Sequence, residues 1–179
     1  MIETGRLLLR PWDVADRGAF GALVNTPAMM ERLGGVQAET VVDAMFARRL
    51  DDQRRHGHCY WAVVLRETGV LVGTCGLRRA EDYGDAGVAG MLEIGWRVDT
   101  AYWGRGIARE AAQASIGWAW THTGDPAIGA WTTAANTRSW GLMERLGMAR
   151  RPDLDFHHHR HAPDDPVGAM IVYVVERPR

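Results

Sequence analysis

The chain has no lysine: all 21 of its basic residues are arginine. A Walker-type phosphate loop, which requires Gly-Lys-Ser/Thr, cannot be built from it. Cysteine is almost as scarce. Cys59 and Cys75 stand alone, without metal-ligand spacing, and make no disulfide framework, which suits a reducing cytoplasm, the expected location. The N-terminus, MIETGRLLLRPW, mixes charges into a short apolar stretch and lacks the h-region of a signal peptide. No run of about 18 apolar residues occurs. Neither sign of charge is in excess: the formal net charge is -1 and the pI about 6.7. No global field therefore draws in nucleic acid or an anionic membrane, and any anion site has to be local. No repeat, low-complexity tract or linker divides the 179 residues, and a hydrophobic content of 46% is ample for one core. A single domain spanning residues 1–179 is expected.

What is present alternates between two periods. Residues 2–10 read as a first strand ending at Pro11, after which Asp13 caps a helix running to about Val24. Residues 26–35 are ambiguous. Over residues 38–55, Val41, Val42, Met45, Phe46 and Leu50 recur at helical spacing with charge on the other face. Three apolar runs follow, at 60–65, 70–77 and 90–98, with Glu67, Thr68 and Gly69 as a turn between the first two, and they predict an antiparallel meander. In the third, Leu92, Ile94, Trp96 and Val98 share one face while Glu93, Gly95 and Arg97 share the other. A helix with a stripe of Ile107, Ala111, Ala114 and Trp118 comes next. After it come a strand at 127–132, a helix at 136–146 closed by Gly147, a long loop at 155–166 and a last strand at 167–176.

The stretch YWGRGIAREA, residues 102–111, joins a strand to a helix through two glycines. A helix entered this way leaves its first N–H groups unpaired and aimed at one point, which is a phosphate site. Gly104 and Gly106 permit close approach, Ala108 keeps the first turn slim, and Arg105 and Arg109 add charged donors. The competing reading is a helix start whose glycines serve only the turn. A dinucleotide fingerprint is disfavoured, since Arg109 stands where a third small residue belongs and Thr132 and Thr133 follow the next strand instead of an acid.

The runs LEIGWRVDTAYWGRGIAREAAQASIGWAW and NTRSWGLMERLGM, with TGRLLLRPW at the start, resemble the GNAT superfamily of N-acetyltransferases over nearly the whole chain. The likeness is greatest to its ribosomal-protein N-terminal acetyltransferase-like branch. It implies a mixed α+β fold: a splayed, mostly antiparallel sheet of about seven strands flanked by about four helices. The superfamily loop Gln/Arg-x-x-Gly-x-Gly/Ala becomes Trp103-Gly104-Arg105-Gly106-Ile107-Ala108. The resemblance implies that the amides of Arg105 to Arg109 receive the pyrophosphate of acetyl-CoA, with Gly104 shaping the loop. It also implies that the main chain of Trp96, Arg97 and Val98 holds the pantetheine arm where the strand parts from its neighbour.

Acetyl transfer to an amine needs a neutral nucleophile, a polarised thioester and a proton for the leaving thiolate. Glu93 is the candidate general base, acting through water; the alternative is a salt-bridged glutamate beside Arg97. Asn136 matches a family asparagine that contacts the pantetheine arm or a water, and it also suits a helix N-cap. Ser139 is the candidate acid near the CoA sulfur, set against a solvated helix serine. Many superfamily members place a tyrosine four residues before the glycine that ends this helix; here that residue is Met143, so Ser139 or a water has to supply the proton.

His157, His158, His159 and His161 do not converge on an ion by spacing, and no metal is expected. By family likeness one of them could touch substrate or serve as a base. An α-amine, with pKa about 7.7 to 8.0, is neutral far more often at pH 7 than a lysine amine at about 10.4, so a water-relayed carboxylate suits α-amines better. The expected acceptor is a small-molecule or peptide amine, the expected assembly a monomer or homodimer. Two functions stand: an acetyl-CoA-dependent N-acetyltransferase, or a non-catalytic acyl-CoA-binding module.

Overall fold

The computed structural model describes every residue except Arg32, Leu33 and Asp85. A hairpin opens the chain, with β1 (Ile2–Glu3) pairing antiparallel to β2 (Leu7–Arg10). The expected single strand is broken because Thr4 Oγ1 accepts the Leu7 amide at 2.8 Å, turning the chain over Gly5. Asp13 caps a 3-10 turn with a reciprocal capping box and leads into α1 (Arg17–Val24). In the ambiguous stretch a short helix, α2 (Pro27–Met30), is capped by Thr26, while Arg32 and Leu33 lie outside the described residues. The long amphipathic helix is α3 (Glu39–His56), closed by Gly57 in the left-handed region.

β3 (Tyr60–Leu65), β4 (Leu71–Arg79) and β5 (Leu92–Val98) extend β2 into the expected meander. Then come α4 (Ile107–His122), β6 (Ala127–Thr133) and α5 (Thr137–Arg145). The chain ends in β7 (Ala149–Arg150), β8 (Phe156–His157) and β9 (Ala169–Glu176). The sheet order is β1-β2-β3-β4-β5-β6-β9-β7, with β8 also on β9. Among the described residues, nine strands and five α-helices stand against the expected count of about seven and about four. The extra strands are two-residue pairings, including one inside the segment read as loop, and such short pairings leave no periodicity in the sequence.

One face of β5 carries buried Leu92, Ile94 and Val98 and packs on α4. The buried residues of α4 are Ile107, Ala111, Ala112, Ser115 and Ala119, small enough to bring the helix close to the sheet. Ala114 and Trp118, expected in the stripe, sit at its edge; Trp118 packs edge-on against Trp61 and stacks on His122. On the other side of the sheet α1 packs on β4 and on α3, with Phe20, Val24 and Phe46 buried beside Trp12, and the Glu93–Gly95–Arg97 face of β5 shares a cavity with residues of both helices. No helix among the described residues is long and apolar enough to cross a membrane.

Candidate active site

The sheet opens at its centre. β5 pairs with β4 along its whole length, from Arg79↔Leu92 to Gly73↔Val98. Toward β6 it pairs in parallel only at Leu92↔Ile128 and Glu93↔Gly129, while β6 continues antiparallel to β9 as far as Thr133↔Met170. Beyond Glu93 the two strands diverge, so the main chain from Ile94 onward faces a gap instead of a neighbouring strand. Buried or ligand-facing, such groups require partners. One already has its own: the Val98 carbonyl accepts from Trp103 Nε1 at 2.6 Å. Arg138 of α5 lies over the Trp103 ring at 4.5 Å. Tryptophan at the usual Gln/Arg position thus ties the glycine loop to the strand.

Gly104 (φ 74°) and Gly106 (φ 75°) both adopt the left-handed region, which accounts for glycine at each. Gly106 is the N-cap of α4, and no side chain caps that helix. Its leading amides, from Ile107, Ala108 and Arg109, are therefore free for an anion, with the helix dipole behind them. The loop is braced from the other end of the chain. Arg6 Nη1 donates to the Arg105 carbonyl at 3.0 Å, and its guanidinium pairs with Glu110 at 2.6 Å. Thr4 Oγ1 also donates to Glu110. Burial would raise the Glu110 carboxyl, but these bonds from Thr4 and Arg6 outweigh it and hold the group below its ordinary value.

At the mouth of the gap lies a cavity of about 180 Å³ lined by Glu93, Trp96, Arg97, Asn136, Ser139 and Met143, among others. All six were named from the sequence, five as candidate site residues and Met143 as the residue standing in place of the family tyrosine. Glu93 pairs not with Arg97 but with Arg78, directly across in the β4–β5 register, with Nε to Oε2 at 2.7 Å. Burial alone would lower the Arg78 pKa, yet Glu93 and Asp82 hold the guanidinium charged and raise it. Asp82, also paired with Arg48 and Arg160, is drawn down to about 2. Asn136 occupies the N-cap position of α5 without capping it; its Nδ2 turns to Thr132 Oγ1 at 2.9 Å on β6. Met143 is buried in the cavity wall.

Two residues that sequence reasoning missed also line this cavity. Tyr60 of β3 extends over Gly95, where a Cβ would come within 2.8 Å of its hydroxyl, so the glycine is needed for the ring to lie there. Burial and the Glu93 charge push its phenol well above its ordinary value. Arg49 is 8% exposed and continues the apolar stripe of Val42 and Phe46 on α3. A charge on a buried helical stripe was the available signal.

The histidine segment does not reach this cavity. His157 and His159 line a separate hollow beside Tyr83, and His161 Nδ1 lies 3.1 Å from Asp165 Oδ2. His158 stacks edge-on against Tyr83. Burial, with His159, Arg160 and His161 close by, pulls it down to about 4 from 6.5. The packed segment therefore holds the neutral ring. Its contribution is complete above pH 6.5 and is lost as pH falls toward 4. We expect amide exchange in residues 156–161 to accelerate over that window and His158→Phe to remove the acceleration. An imidazole titrating at its ordinary value by NMR would contradict this.

A parallel pair opened beside a glycine-started, uncapped helix, within an otherwise antiparallel sheet, defines a mixed α+β fold of the GNAT type. A family model described as Acetyltransferase (GNAT) domain matches residues 6–149, and the chain belongs to that family. It is similar to the protein YkkB of Bacillus subtilis (strain 168), with 25% identity over 148 residues covering 82% of this chain and 84% of the relative. It is also similar to the N-acetyltransferase p20 of Bacillus licheniformis, 25% identical over 151 residues, 83% of this chain and 82% of that one. Among solved structures it is similar to the acetyltransferase from Agrobacterium tumefaciens str. C58. That match has a TM-score of 0.79 and 26% identity, and covers 98% of this chain and 93% of the other.

Proposed function

We propose that residues 1–179 form one acetyl-CoA-dependent N-acetyltransferase domain acting on a primary amine of a small molecule or peptide N-terminus. The observation that carries this reading is the gap between β5 and β6, which opens onto a cavity shared by Glu93, Asn136 and Ser139. The amides of Arg105 to Arg109 hold the pyrophosphate, Gly104 and Gly106 shape the turn, and the strand from Trp96 to Val98 guides the pantetheine arm into the gap. The loop sequence supports a place near the ribosomal-protein N-terminal acetyltransferase-like branch.

The amine attacks the thioester carbonyl; a C–N bond forms, the C–S bond breaks, and the acetyl group leaves CoA. Glu93 relieves the amine of a proton through water, its Oε1 standing free of the Arg78 bond. Ser139 delivers a proton to the departing thiolate, and the Tyr60 phenol is a second buried donor in the same cavity. Direct attack is favoured over a covalent thiol intermediate. Cys59 and Cys75 are buried, neither lines the cavity, and burial pushes both up to about 12.

A non-catalytic acyl-CoA-binding module is not favoured, because it gives no role to a glutamate and a serine facing one cavity beside the gap. The two readings separate in one assay, free-thiol release from acetyl-CoA across a panel of amines. Turnover with at least one amine is expected. CoA binding with no thiol released from any amine would leave the module.

A further inference from the structure

Resting on the acetyltransferase reading, and deepening it, we propose that the acceptor is a small amine that also carries a carboxylate, held by Arg97 and Arg49 with the Tyr60 hydroxyl. Arg97, Arg49 and Tyr60 bring positive charge and hydrogen-bond donors to the cavity. Arg97 reaches it from the Glu93–Gly95–Arg97 face of β5, and the polar contact it makes is a 3.9 Å approach to Met30 Sδ. Among the described residues no carboxylate pairs with it. Arg49 descends from α3 over the Tyr60 ring at 4.4 Å, and its Nε has no hydrogen-bond acceptor among the described residues. Its Nη1 makes a long ion pair with Asp52 Oδ2, at 4.0 Å one turn along the helix. The Tyr60 hydroxyl is buried and, among the described residues, also lacks a partner.

Of the neighbouring acids, Asp52 faces Arg49 with its Oδ2 buried and without a hydrogen bond among the described residues, and the other two are engaged. Glu93 and Asp82 are taken by Arg78, and Asp82 also serves Arg48 and Arg160. Buried guanidinium groups are normally paired, and a guanidinium fork matches a carboxylate better than any neutral group. The two guanidinium groups also act on each other: burial and then Arg49 pull Arg97 down to about 10. An anion between them relieves both effects. The same two charges favour the unprotonated form of an amine in the cavity, the form that attacks acetyl-CoA. A volume of about 180 Å³, below the roughly 300–1,000 Å³ of common ligand pockets, suits a molecule of amino-acid size. The carboxylate is bound and unchanged in the reaction; only the amine nitrogen gains the acetyl group.

The test compares L-amino acids with their own carboxamides, using the full chain saturated with CoA for binding and acetyl-CoA for turnover. Calorimetric titration reads the anion subsite without chemistry. At least one free acid is expected to bind about tenfold or more tighter than its carboxamide, and that preference supports the subsite even if no thiol is released, a failure that would fall on the catalytic reading alone. Where turnover occurs, the same preference is expected in kcat/KM. In Arg97→Gln, and separately in Arg49→Gln, the ratio of acid to carboxamide should fall toward one. Equal binding of every acid and its carboxamide, or no binding of any acid at millimolar concentration, overturns the proposal. The wild-type comparison decides it even if a variant fails to fold.

Discussion

Replacing Gly106 by valine is expected to weaken acetyl-CoA binding by two orders of magnitude or more, with the thermal midpoint of the free protein changed far less. Gly106 holds φ 75° and ψ 6° as the N-cap of α4. A residue with a Cβ costs about 1–2 kcal/mol in that conformation, and a β-branched one tolerates it least. A Cβ there would also lie 3.5 Å from Arg6 Nη2, on the brace that fixes the Arg105 carbonyl. Relief of this strain rotates the leading amides of the helix away from their common focus. A hundredfold loss corresponds to about 2.7 kcal/mol, within reach of the strain plus one or two charge-assisted hydrogen bonds. Gly104→Ala is the graded control. It shares the positive φ, but nothing stands within 4 Å of the added carbon, so a loss of several-fold is expected. Calorimetry with acetyl-CoA on folded Gly106→Val checks the claim, and wild-type affinity would remove the glycine turn from the cofactor site.

Glu93→Gln is expected to lower kcat about a hundredfold while leaving acetyl-CoA affinity nearly unchanged. The substitution suits the site because the glutamine carbonyl can still accept from Arg78 Nε, so the β4–β5 cross-strand contact survives and only the proton-accepting function is lost. The effect should depend on pH. Below the pKa of the acceptor, the neutral amine falls about tenfold per unit, and removal of the ammonium proton becomes the greater part of the barrier. The deficit of the variant should therefore widen as pH falls and narrow as the amine deprotonates unaided. Measured kcat against pH for both proteins decides it: parallel profiles would take Glu93 out of proton transfer and leave it as the anchor of Arg78.

The two variants probe parts of the site that were unequally legible. The glycine turn is a local feature: two glycines, a slim first helical turn and an apolar stripe leave their mark within ten residues. The alternation of Leu92, Ile94 and Val98 with Glu93, Gly95 and Arg97 is local too, and it placed Glu93 and Arg97 on the face opposite α4. Their partners were not legible. Pairing of Glu93 with Arg78 depends on the register of β4 against β5, which the loop between them leaves open. The brace of Arg6 on Glu110 joins residues 104 positions apart. Tyr60 reads as the start of a strand, and only its position across from Gly76 and Gly95 lays the phenol over the cavity.

By itself the sequence determined the order of the longer elements, the faces of the long helices and central strands, the glycine turn ahead of α4 and the family likeness, because each rests on residue types at short, fixed spacing. Only the tertiary structure decided where β5 and β6 part, that Arg97 is left without a carboxylate among the described residues, and that the histidine segment packs on Tyr83 away from the cavity. Those outcomes depend on strand register and on packing between segments distant in the chain, which periodicity does not encode.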